Sequence, residues 1–281
     1  MQNETIAIHA GYNKKEGYGT MSVPISQTTA YAFRDSEHAA NLFALKELGP
    51  IYTRLNNPTT DVLEQRFAAL EGGAAAICTS SGQAASFYAI ANVAEAGDNI
   101  LISDKLYGGS VTLLTYTMKR FGITAKVFKS DDASDLESLI DDKTKAIYFE
   151  SLSNPQIAIP DVEKIATIGK KHGVLTICDN TVASAALFNP IKWGIDVVVH
   201  STSKYTNGQG TAIGGIVVER DGLAEFFKAN SNRYSHFTTP DESYHGLIYT
   251  DVPLPNFCLR IRLSLLRDIG AVPAPFNSWL L

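Results

Sequence analysis

The run Val197-Val-Val-His-Ser-Thr-Ser-Lys204 is a hydrophobic stretch that ends in three hydroxyls and a lysine. A second apolar run, Val174-Leu-Thr-Ile-Cys-Asp179, ends in a carboxylate. A lysine and an aspartate, each closing a buried strand, suit pyridoxal 5'-phosphate chemistry. The Lys204 amine can form a Schiff base with the cofactor aldehyde. Asp179 can keep the pyridine nitrogen protonated, so that the ring accepts electrons from a substrate carbanion.

Other residues supply the remaining handles. Ser80-Ser-Gly-Gln83 lies between a predicted strand and a predicted helix. Amide groups at a helix start favour an anion, and Gly82 allows close backbone approach. Ser201 and Ser203 can add hydroxyl donors beside Lys204, and Arg54 can bind a phosphate bidentately. Tyr107, in a glycine-rich loop, can stack on a pyridine ring or simply pack. Asn154 can hydrogen-bond a ring hydroxyl or a substrate carboxylate, although Asn154-Pro155 is equally a turn signal. Gly208-Gln-Gly210 has the wrong spacing for a dinucleotide site and reads as a loop.

These residues need elements to hold them. Residues 1–57 read as an irregular arm with a short helix over Ser36–Leu48. From Pro58 the chain alternates. Strands are predicted over 74–80, 99–103, 124–129, 145–151, 174–179, 195–200 and 214–219. Helices are predicted from 58 to 71, 82 to 94, 111 to 121, 160 to 173 and 223 to 229, with a capping box of Ser134 and Glu137 opening another. Strands alternating with helices predict an α/β fold, a mostly parallel sheet covered on both faces. Ligands bind beyond the carboxyl ends of such strands, where Ser80, Asp179 and His200 would gather. After Asn230 the periodicity weakens. The apolar end Trp279-Leu280-Leu281 is expected to lack a packing partner.

Composition narrows the classes. The chain has 281 residues, 45% hydrophobic and 19% charged, with a net charge of −5, as expected for a soluble globular protein. No basic block points to nucleic acid, and no run approaches the ~20 apolar residues that span a bilayer. The start lacks a secretory pattern, so a cytoplasmic address is expected. Cys78, Cys178 and Cys258 show no pairing or metal spacing and read as buried thiols. None of the six histidines shows metal spacing, and no metal site is expected.

Together, Tyr52-Thr-Arg54 with Asn57-Pro-Thr59, Ser81-Gly-Gln-Ala-Ala85, Leu106-Tyr-Gly-Gly109, Ser153-Asn-Pro155, Asp179-Asn-Thr181 and Ser201-Thr-Ser-Lys204 make a specific pattern. The chain resembles, along nearly all its length, the Cys/Met-metabolism family of pyridoxal-phosphate enzymes. Its arm resembles that of the O-acetylhomoserine sulfhydrylases most closely. The resemblance implies the aminotransferase-like fold (fold type I) and tetramers built from dimers that share active sites. It implies the Schiff-base role for Lys204, the ring-nitrogen role for Asp179 and ring stacking with proton movement for Tyr107. It assigns Gly82, Gln83, Ser201 and Ser203 to the phosphate cup, and Asn154 to the ring hydroxyl. Tyr52 and Arg54 would reach the phosphate of a neighbouring subunit.

The implied layout is an arm over 1–57, a cofactor-binding domain over 58–235, and the start of a truncated C-terminal domain over 236–281. In the family that small domain supplies an arginine for the substrate carboxylate. Arg260, Arg262 and Arg267 do not match it. The expected activity is γ-replacement: O-acetyl-L-homoserine and sulfide, or another thiol, give homocysteine and acetate. The alternatives are cystathionine γ-synthase or γ-lyase chemistry, and a catalytically impaired cofactor-binding protein.

Overall fold

Where an apolar run is bounded by glycine or a polar turn, the chain extends. The computed structural model describes residues 2–15 and 19–281, and among these seven such runs become strands. They are β1 (Ala75–Thr79), β2 (Asn99–Ser103), β3 (Thr124–Phe128), β4 (Thr144–Glu150), β5 (Leu175–Asp179), β6 (Val197–His200) and β7 (Gly215–Glu219). Every one lies within two residues of its predicted limits. The strands hydrogen-bond in the order β1-β7-β6-β5-β4-β2-β3. β7 is antiparallel to β1 and β6, and the other pairings are parallel.

Away from the edge strand β3 both faces are buried, which is why the inner strands read as nearly continuous apolar runs. On one face Tyr148, Ile177 and Val199 pack with Ala85, Tyr88 and Ala89 of the helix Gly82–Ala91. On the other, Ile147 and Phe149 meet Ile165 and Ala166 of the helix Val162–His172. Val198 and Ile216 meet Leu63 and Phe67 of the helix Pro58–Glu71. Each fully buried Val, Leu, Ile or Phe contributes roughly 1.5–3 kcal/mol, so the central strands form a rigid platform. Residues beyond 236 join it: Phe237, Tyr249, Phe257 and Ile261 are buried in the same cluster as β4 and β5.

The local rules mostly hold. Asn57 caps the helix Pro58–Glu71 by accepting from the Thr59 amide at 3.0 Å, with Pro58 opening the first turn. Gly72, at φ 74°, ends it in the left-handed region that glycine tolerates.

Four expectations need correction. The helix predicted to reach Leu48 stops at Phe43, and the amides of Lys46 and Glu47 fold back onto the Asn41 carbonyl. The Ser134–Glu137 capping box does not form, because the Glu137 carboxylate is held by Lys171 and His172. The helix expected from Val111 begins at Gly108 and passes through a π turn and a 3-10 turn before Phe121. The apolar end does have a partner. The helix Pro275–Leu280 lies on Pro58–Glu71, Ser278 bonds Thr60 at 2.9 Å, and the Trp279 indole donates to the Val23 carbonyl at 3.0 Å.

Because β7 runs against its neighbours, Glu219 ends at the sheet edge remote from Asp179. It is buried and accepts from the Cys258 amide. Burial pushes its carboxyl up to about 7, against the lowering effect of that amide and its neighbours. A raised folded value means the stabilising contribution is full below the unfolded value and is lost as pH rises through about 7. Glu219→Gln keeps an acceptor oxygen and cannot ionise. Urea unfolding should find the two proteins similar at about pH 5, and the Gln form more stable at about pH 8 by about 3 kcal/mol. An unchanged difference at the two pH values would show that the carboxyl titrates normally.

Candidate active site

Parallel strands deliver their carboxyl ends to one edge, so Glu150, Asp179 and His200 finish side by side and β7 begins beside them. A cleft of about 690 Å³ opens there. Lys204, in the loop after β6, lines it and is exposed to it. Asp179 lines it from the end of β5 and is half-buried. The Asp179 carboxylate is fixed from two sides. Oδ1 accepts from the Thr181 amide at 3.0 Å and from the Thr181 hydroxyl at 2.5 Å. Oδ2 accepts from the Tyr148 hydroxyl at 3.2 Å. Tyr148 is fully buried and also meets Ser86 Oγ at 2.9 Å. Burial first, and the Asp179 charge next, push its phenol well above the ordinary range, so it stays a neutral donor. One carboxylate oxygen direction is left for a ligand.

The predicted phosphate cup lies on the same wall. Ser81 caps the helix Gly82–Ala91 by accepting from the Ala84 amide at 3.2 Å. Amides in the first helical turn have no intrahelical acceptor, so those of Gly82 and Gln83 are open to an anion. A Cβ on Gly82 would come within 2.5 Å of Ser201 Cβ, so only glycine lets the helix start approach the β6 loop this closely. Ser201 lines the cleft, and its amide donates to Thr181 Oγ1 at 2.8 Å. Ser203 also lines it, but its hydroxyl is engaged within the chain: it donates to the Gly214 carbonyl at 3.2 Å and accepts from the Gly214 amide at 3.0 Å. Gln83 turns its side-chain amide to the Gly109 carbonyl at 3.0 Å and so ties the cup to the Tyr107 loop.

Tyr107 and Asn154 also line the cleft, on the loops after β2 and β4. The Tyr107 ring is half exposed and folds back over Gly109, where a Cβ would fall 2.4 Å from Tyr107 Cε1. Sequence reasoning missed the group beneath both. Glu150, 5% exposed, accepts from the Tyr107 amide at 2.6 Å and from the Asn154 amide at 3.0 Å. Burial pushes its carboxyl up to about 7, with the Asp179 charge adding to the rise. Thr181 and Tyr148 were missed as well. No sequence signal marked them, because register placed them: Glu150 pairs with Asp179 across two parallel strands, and Tyr148, two residues before Glu150, shares its face.

Three predicted groups lie elsewhere. Tyr52 and Arg54 do not line this cleft. Both are exposed, with the Arg54 guanidinium over the Tyr52 ring at 5.2 Å from its centroid. His200 turns away into the core and meets Glu71 Oε1 at 2.6 Å, and Asn180 donates to the same oxygen at 3.0 Å, so this buried network braces the ends of β5 and β6. No arginine among the described residues lines the cleft. Arg262 pairs with Glu64, Arg260 bonds Asn92, and Arg267 pairs with Asp268.

One cleft thus holds an amine, an oriented carboxylate, open amides with a hydroxyl, and an aromatic ring. That donor set fits an anionic, phosphate-bearing aromatic aldehyde. The amine can attach the aldehyde, the carboxylate can meet a ring nitrogen, and the helix start can hold the phosphate.

The comparisons with known proteins agree with this chemistry. Residues 4–281 match the family described as Cys/Met metabolism PLP-dependent enzyme. Over 277 residues the chain is 48% identical to Sulfhydrylase FUB7 of Fusarium oxysporum f. sp. lycopersici, covering 98% of this chain and 64% of that protein. Over 285 residues it is 45% identical to O-acetyl-L-homoserine sulfhydrylase of Leptospira meyeri, again covering 98% and 64%. Among solved structures, a putative O-acetylhomoserine (thiol)-lyase of Campylobacter jejuni subsp. jejuni is 54% identical, with a TM-score of 0.97, over 100% of this chain and 69% of that one. That structure carries N'-pyridoxyl-lysine-5'-monophosphate. The chain spans 64% of the length of these curated relatives.

Proposed function

Because the chain belongs to the family of Cys/Met metabolism PLP-dependent enzymes, we propose that it serves γ-replacement, in which O-acetyl-L-homoserine and sulfide give L-homocysteine and acetate. The observation that carries the reading is the meeting of Lys204, Asp179 and the Gly82 helix start in one cleft at the carboxyl edge of the sheet. The choice of substrate is supported by relatives that bear that substrate in their names. Pyridoxal phosphate, the family's cofactor, supplies an electron sink.

The chain's own residues do the rest. The Lys204 amine would hold the cofactor through its aldehyde and, when free, would carry a proton between substrate carbons. Asp179, held by Thr181 and Tyr148, offers its carboxylate to the ring nitrogen. Tyr107 would stack on the ring, and Asn154 would bond its hydroxyl. The amides of Gly82 and Gln83 and the Ser201 hydroxyl hold the phosphate, while Ser203 shapes the loop through Gly214. Tyr52 and Arg54, outside this chain's own cleft, serve the phosphate of a second copy in a homo-oligomer. Three buried, unpaired cysteines suit a reducing compartment such as the cytoplasm.

Product analysis tests the reaction. With cofactor, O-acetyl-L-homoserine and sulfide, homocysteine and acetate should accumulate together. Supplying cysteine instead should give less product. Preferential formation of cystathionine from cysteine, or release of a thiol from an amino acid without sulfide, would replace this reading with synthase or lyase chemistry.

A further inference from the structure

The side chains of Tyr107 and Asn154 have no hydrogen-bond partner among the described residues, and both residues are exposed. Their positions come from the backbone. The amide of Tyr107 ends on Glu150 Oε1 at 2.6 Å, and the amide of Asn154 ends on Glu150 Oε2 at 3.0 Å. The first amide belongs to the loop after β2 and the second to the loop after β4, two adjacent strands. A single buried carboxyl group therefore joins two loops across the floor of the cleft.

A carboxyl group is suited to this in a way that few side chains are. It has two oxygens, both able to accept, in one plane and at a fixed separation. Glutamine has one acceptor and one donor, so one of its ends would set N–H against N–H. Aspartate keeps both acceptors but is one methylene shorter and cannot reach both loops from the same Cα. An apolar residue would fill the space and leave two partly buried amides without acceptors. Asp179, its register partner on β5, makes burying this second carboxyl less favourable still. The fold retains Glu150 against both costs.

From this geometry we infer that Glu150 is a positioning residue: it sets the gap between the Tyr107 ring and the Asn154 side chain into which the cofactor ring enters. The inference rests on the cofactor reading above. Glu150 acts through the two loops, and Lys204 remains the point of attachment.

The test compares wild type, Glu150→Gln and Glu150→Asp, each loaded with pyridoxal phosphate. Trapping with borohydride and peptide mass analysis should find the cofactor on Lys204 in all three. In Glu150→Gln the dissociation constant for the cofactor should rise about tenfold, as expected for loss of one hydrogen bond. The circular dichroism induced in the cofactor's visible band should weaken with it, and amide exchange at Tyr107 or Asn154 should quicken in the cofactor-free protein. Glu150→Asp should show the same changes to a smaller degree, and it decides the matter if the Gln form does not fold. A lower unfolding temperature with unaltered cofactor affinity, dichroism and exchange would mark Glu150 as structural only and overturn the inference. A wild type that takes no cofactor on Lys204 would instead overturn the cofactor reading.

Discussion

Lys204→Ala should remove both the covalent attachment of cofactor and all turnover. Its amine is the one amine among the described residues that line the cleft with Asp179 and the open amides of Gly82 and Gln83. Its residue is exposed, so its loss should leave the fold intact. Cofactor should still bind through the phosphate and ring contacts, but borohydride should fix none of it to the protein. A borohydride-stable lysine adduct in the cleft of Lys204→Ala would place the attachment elsewhere. The same variant tests whether sites are shared. Mixed with Arg54→Ala subunits, it should form hybrids that regain activity, because a hybrid contains some sites with an intact Lys204 and an intact Arg54. Hybrids shown to form yet fully inactive would confine each site to one chain.

Asp179→Asn should preserve folding and lose several decades of rate. The amide is nearly isosteric. Its oxygen can still accept from Thr181, and its NH2 group can turn to the Tyr148 hydroxyl. What it cannot do is hold a positive charge on the ring nitrogen. Each ~1.4 kcal/mol lost from the transition state lowers the rate tenfold, and the loss of a buried charge pair exceeds that several times over. The effect should fall on kcat more than on KM, because the contact strengthens as charge develops. Turnover close to wild type in a correctly loaded Asp179→Asn protein would remove Asp179 from the reaction.

Much of this was legible in the chain itself. Apolar β-branched runs such as Val197–Val199 and Ile100–Ile102 have no stable alternative to a sheet buried on both faces, so strand positions followed from sequence to within two residues. Alternation of strands with helices then implied parallel pairing, and parallel pairing implies a shared carboxyl edge. That reasoning is enough to bring Asp179, Gly82 and Lys204 to one place. Family resemblance gave their chemistry.

Register and direction are tertiary matters. Nothing in Gly215–Glu219 announces that β7 runs against its neighbours, yet this sends Glu219 to the remote edge and a buried place of its own. Nothing in Tyr148-Phe-Glu150 distinguishes a binding residue from a strand end. Glu150 matters because β4 lies between β2 and β5, which puts its carboxyl beside Asp179 and beneath the Tyr107 loop. Partners distant in sequence also decided the terminal segments. Trp279 finds Val23, and Glu137 finds Lys171 and His172 in place of its own helix start. Periodicity reports which residues must be buried, because burial acts on each residue where it stands. Which groups then meet depends on strand order and register, and those are set only when the whole sheet assembles.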